Sequence, residues 1–178
     1  MMGYYHNVGP TTDLEGSAMS TLGMRTQPER PRLLIPGLAR FYDWTPELAY
    51  LIVRLTAGGM LLVHGIQKVT TMTVATFAAN SMARRGIEPA LAAAYAVFFL
   101  ETVGAICIIL GLFTRFFAVA IFLQFLVIIF VAHWPQGFNW NRPGGGWEYP
   151  LFWALIWVAI ALRGGGPYSL DRKIGWEL

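Results

Sequence analysis

Beyond residue 45 the chain is a succession of long apolar runs separated by short polar or glycine-rich breaks. A helix needs about 20 apolar residues to cross ~30 Å of hydrocarbon, and four runs approach that length. The first is expected over residues 46–68, with Thr45 as N-cap, Pro46 at the first helical position and Glu47 in the first turn. The second is expected over 89–111, and the third over 114–133, where Pro135 halts regular helix. The fourth, 150–163, stops at Gly164, Gly165 and Gly166. It is short, covering only about 21 Å at 1.5 Å per residue. The preceding stretch, 133–149, carries Trp134, Trp140, Trp147 and three consecutive glycines. Two readings are open for it: a folded cap over one mouth of the bundle, or an interfacial loop with belt tryptophans. The expected fold is an all-α integral membrane protein. Residues 46–178 form a four-helix transmembrane bundle, 1–45 a cytoplasmic or interfacial extension, and 33–42 and 74–85 short interfacial helices.

Composition agrees with the patterning. The chain is 56% hydrophobic and 13% charged, against roughly 25% charged in soluble domains. Its net charge of +3 has no continuous basic face behind it, which argues against nucleic acid as a partner. The single cysteine, Cys107, lies inside an apolar run and cannot form an internal redox pair. No basic n-region precedes a short apolar core, so no cleavable signal peptide is expected. Lys and Arg are informative about topology instead. Arg25, Arg30, Arg32, Arg40, Arg115, Arg163, Arg172 and Lys173 fall on one side of four spans; Lys68, Arg84, Arg85 and Arg142 fall on the other. The richer side, with both termini, is expected in the cytoplasm.

Ionisable groups inside a bilayer are costly and mark candidate sites. Counting rise from the expected span ends puts Arg54, Glu101 and Gln124 at nearly one level. Arg54 and Glu101 are therefore expected to pair across the bundle with Gln124 nearby, either as a register-fixing pair or as a proton-active or ligand-binding one. Arg54, Gly58, Leu61, Gly65 and Lys68 follow a 4-3-4-3 spacing that makes one inward stripe, and the glycines allow close helix approach. A second group, His64, Lys68, His133 and Glu148, collects near the opposite mouth, where it can bind an anion, relay protons or grip a quinone head group, or merely snorkel to water. Glu101 and His64 are the candidates for catalytic proton exchange. Two histidines on facing helices invite comparison with haem ligation, but nothing sets their separation, so haem is disfavoured. No metal-spaced Cys/His set, phosphate-binding loop or nucleophile elbow is present, and no metal site is expected.

The strings RLTAGGMLLVHGIQK, LETVGAICIILGLFTR, VIIFVAHW and GGGWEYPLFWALIWVAIALRGGGPYSLD, taken in order over Leu51 to Asp171, resemble the DoxX/DoxD family of small bacterial membrane proteins. The matching positions are Arg54, His64, Gly65, Lys68, Glu101, Gly111, Arg115, Glu148 and Asp171. The resemblance implies a four-helix membrane fold in the bacterial inner membrane. One branch resembles the large subunit of an archaeal thiosulfate:quinone oxidoreductase, which implies electron delivery to the quinone pool; others look like partners in membrane oxidoreductase or oxidative-stress assemblies. Two functions follow as expectations. One is a subunit of a quinone-linked redox assembly that holds quinone or relays protons, its electron carrier supplied by a partner. The other is a non-catalytic accessory subunit that docks on and stabilises a larger membrane complex or self-associates.

Overall fold

A computed structural model describes residues 33–177, and among these all regular structure is helical. The expected extension, 1–45, therefore lies largely outside the described residues, as do Arg25, Arg30 and Arg32. The chain divides into two units at Arg40, and every feature below lies in the second, which starts at Phe41. Four long helices carry that unit: α1 (Ala39–Thr70), α3 (Ala90–Leu110), α4 (Thr114–Gln136) and α5 (Glu148–Arg163). Two short ones accompany them: α2 (Val74–Phe77), which runs on through widened and tightened turns to Arg85, and α6 (Leu170–Ile174). Three of the long helices are long and apolar enough to cross a membrane. The fourth, α5, has only 16 residues, about 24 Å, and falls short of a full crossing by itself.

The glycine stripe on α1 sets the architecture. Gly58 packs on Ala105 and Ile109, and Gly65 on the backbone of Glu101, while Arg54 reaches Gly111. Rising numbers on one helix meet falling numbers on the other, so α1 and α3 are antiparallel and in near contact. Pairs Glu101–Gln124 and Gly104–Phe117 run α4 antiparallel to α3, and Phe125–Trp157 with Arg115–Ala161 does the same for α5. Between them sits a core of Ala57, Leu61, Ile108, Ile121, Trp157 and Ile160. Outward positions such as Ile52, Val63, Leu91, Val103, Phe116, Val119, Phe152 and Leu155 are apolar and exposed, as lipid-facing residues are.

Two departures from expectation matter for the site. First, α1 begins at Ala39, not at Pro46, which lies inside the helix. A proline there, two turns into the helix, removes the hydrogen bond its N–H would have given the Tyr42 carbonyl. Arg54 is consequently level with Gly111 at the end of α3, and Lys68, one turn past Gly65, is level with Glu101. Second, α3 and α4 each contain a π-helical stretch, Leu100–Gly104 and Ile128–His133. Such widened turns have no composition signature and cluster at functional positions. The stretch after α4 folds back as a compact cap: Trp147 and Glu148 donate backbone N–H groups to Gly137 and Phe138 at 3.0 Å each, and Trp147 stacks on Trp134. The mouth it covers is called the cap end; the opposite mouth, near α6, is the tail end.

Candidate functional site

At the tail end Arg54 is 1% exposed. Its guanidinium donates to the carbonyls of Gly165 and Tyr168, in the loop that follows α5. Gly111 ends α3 with φ +68, and the place of a Cβ there is taken by Arg54 and Ser169, so only glycine fits. Asp171 in α6 closes the knot. Its carboxylate accepts from Phe113 N at 2.7 Å, Thr114 N at 3.0 Å and Thr114 Oγ1 at 2.7 Å, capping the N-terminus of α4. Arg115 donates to the carbonyls of Ala161 and Leu162 at the far end of α5. These partners lie at helix ends and in the loop that joins α5 to α6.

The expected Arg54–Glu101 pair does not form. The expectation sets Pro46 level with Gly111, whereas α1 runs past the end of α3 and it is Arg54 that lies beside Gly111, some ten residues of rise from Glu101, about 15 Å. Glu101 pairs instead with Lys68, and its Oε1 accepts from Gln124 Nε2 at 2.8 Å. Gly65 makes this pairing possible by bringing α1 onto the Glu101 backbone. Lys68 also contacts the His64 carbonyl at 3.4 Å and stands 4.6 Å from the centre of the Phe77 ring. Lys68, Glu101 and Gln124, on three helices, are all more than nine-tenths buried. Glu101 lies inside the π-helical stretch Leu100–Gly104, and Gln124 Oε1 has no protein partner.

Empty space flanks this triad on two sides. A groove of about 530 Å³ runs between α3 and α4 under the α2 segment. Its walls are mostly apolar, among them Val97, Leu100, Leu123 and Val127, and its polar lining is Lys68, Glu101 and Gln124 with Ser81 and Arg85. A smaller chamber of about 180 Å³ lies on the other side, between α1, α4 and α5 below the cap. It is lined by His64, His133, Trp140, Tyr149 and Trp153, and again by Glu101. His133 Nδ1 meets the Gly145 carbonyl at 2.8 Å. Glu148 accepts from Trp140 N at 3.1 Å and holds the cap from its exposed side, away from both cavities.

Of the seven residues singled out in the sequence, Lys68, Glu101 and Gln124 thus meet, His64 and His133 share the adjoining chamber, and Arg54 and Glu148 stand apart. The sequence did not point to Phe77 or Arg85, whose segment reads as a surface helix, nor to Tyr50, which donates to the Gly164 carbonyl. The placement of Phe77 and Arg85 follows from α2 folding down beside Ala94 and Phe98, a tertiary fact.

Residues 49–134, from α1 to the last turns of α4, match the family model described as DoxX. An uncharacterized protein of Haemophilus influenzae is 29% identical over 127 residues, covering 71% of this chain and 89% of that protein. No solved structure matches the chain.

Proposed function

We propose that the chain, whose residues 49–134 match the DoxX family model, is a DoxX-family membrane protein and a subunit of a quinone-linked redox assembly, holding a quinone in the groove between α3 and α4. The observation that carries the reading is a buried ammonium–carboxylate–amide set lining a groove whose other walls, Ser81 and Arg85 aside, are apolar. A quinone has that division: two carbonyl oxygens that accept hydrogen bonds and an isoprenoid tail that needs hydrocarbon. Lys68 donates to a quinone oxygen, as Gln124 can, and Glu101 accepts from the hydroxyl of the reduced form. The tail leaves past Leu123 and Val127, both of which reach the exterior. Electrons come from a carrier on a partner subunit, because quinone reduction needs two that this chain's side chains do not supply.

The topology assigned to this reading has four crossings, α5 being completed by the cap, with both termini and the 1–45 extension on the cytoplasmic face of a bacterial inner membrane. The extension is the natural contact for a soluble partner.

Purification of the full chain in mild detergent, followed by solvent extraction and chromatography, tests the proposal. About one quinone per chain is expected. Occupancy is expected to fall at least tenfold in Lys68→Met and in Leu123→Trp, which fills the groove. A defined larger complex containing no extractable quinone would instead assign the chain an accessory, stabilising role.

A further inference from the structure

Glu101 is a wall of both cavities, and the two differ in chemistry. The groove is apolar beyond the triad, Ser81 and Arg85, whereas the chamber carries two histidines, a tyrosine and tryptophan side chains around the same carboxylate. We infer that the chamber is an aqueous antechamber through which Glu101 exchanges protons with water at the cap end, so that ligand and protons approach one carboxylate from opposite sides. The ligand half of this statement rests on the quinone reading; the proton half does not.

The dimensions and the donors support it. At ~30 Å³ per water, the chamber has room for about six molecules, and His64, Glu101, His133 and Tyr149, set among Leu61, Phe125 and Ile128, give such waters polar partners. A backbone carbonyl can only accept, so His133 carries its proton on Nδ1, bonded to Gly145. Nε2 is then the nitrogen free to take a proton and give it up. The groups facing Glu101 are Lys68 and His64 from α1, Gln124 and His133 from α4, and Tyr149 from α5; Arg85, beyond α2, lies on the groove side. When a proton arrives from a chamber water, or from the His133 imidazolium through one, an O–H bond forms on Glu101 and an O–H or N–H bond breaks on the donor. The carboxylate charge is cancelled, Lys68 loses its ion-pair partner, and its ammonium turns to whatever occupies the groove.

Two measurements on the full chain in lipid nanodiscs test this without quinone. Water access is read by a small charged thiol reagent in a Cys107→Ala background. Leu61→Cys, on the chamber wall, is expected to react at least tenfold faster than Ala120→Cys in the groove; equal rates, or a faster groove, would overturn the inference. If Leu61→Cys does not fold, Phe125→Cys reads the same chamber. Proton uptake is read after an acid jump by loss of the infrared carboxylate band assigned through its absence in Glu101→Gln. The plug Leu61→Trp is expected to slow that loss at least tenfold and Leu123→Trp to leave it unchanged. The reverse pattern sinks the route through the chamber. Normal proton uptake with no extractable quinone would sink only the ligand half.

Discussion

The molecule buries two charged clusters, and they solve the same desolvation problem in opposite ways. At the tail end Arg54 and Asp171 spend their hydrogen-bonding capacity on backbone: one on the carbonyls beyond α5, the other on the N–H groups that open α4. The N–H groups are orphans that a helix start leaves and the carbonyls belong to the loop between α5 and α6, so the charges act as staples between helix ends and loop. In the middle, Lys68, Glu101 and Gln124 are joined to one another through their side chains, Gln124 Oε1 is left without a partner, and there are cavities on both sides. Burial by itself does not separate a structural charge from a functional one in a membrane helix. The nature of the partner and the presence of space beside it do.

The largest expected effect breaks the first cluster. Arg54→Leu leaves two carbonyls of the tail-end loop without donors. Hydrogen bonds to a charged group contribute roughly 1.5–3 kcal/mol each, so a loss of about 3–6 kcal/mol is expected in a reversible detergent unfolding titration. Quinone occupancy of the fraction that remains folded should be unchanged. If occupancy collapsed while stability held, the division between staple and site would be wrong.

Glu101→Gln tests the other side. It removes the charge but keeps a hydrogen-bonding amide beside Lys68 and Gln124. The stability loss should be smaller than for Arg54→Leu, while quinone occupancy falls at least tenfold and the chain still assembles with its partners. Gly65→Ala comes next. The added methyl would stand 2.5 Å from the Glu101 carbonyl oxygen and 2.7 Å from Thr102 Cγ2, so α1 must move away. Overpacking of this kind costs about 1–3 kcal/mol, and the same displacement should lengthen the Lys68–Glu101 contact. Its signature is therefore mixed, with stability and occupancy falling together.

Much of this was legible before any coordinates. The stripe of Arg54, Gly58, Leu61, Gly65 and Lys68 is the buried face of α1, because a 4-3-4-3 spacing survives whatever the helix packs against. Glu101 and Gln124 meet because equal rise from the turn at Gly111 and Thr114 puts them side by side on antiparallel neighbours. Arg54 was misplaced for a complementary reason. Its depth was counted from a helix start that propensity placed at Pro46, and element boundaries are where local signals are weakest. The π-helical turns at Leu100–Gly104 and Ile128–His133, and the descent of the α2 segment onto α3, left no local trace at all.

The smallest effect marks where the staple cluster ends. Arg163 pairs with Glu47 and lies over the Tyr50 ring, 4.5 Å from its centre, so it looks like another tie between α1 and α5. Both side chains of the pair are about 40% exposed, however, and solvent-screened pairs contribute on the order of 0–1 kcal/mol. Glu47→Ala should shift the unfolding midpoint by no more than that, and added salt should erase the difference. A loss approaching that of Arg54→Leu would mean that the pair is shielded at the membrane surface. The stapled region would then extend outward along α1 by two turns, and the tail end would have to be treated as one charged network instead of a buried knot with a solvated fringe.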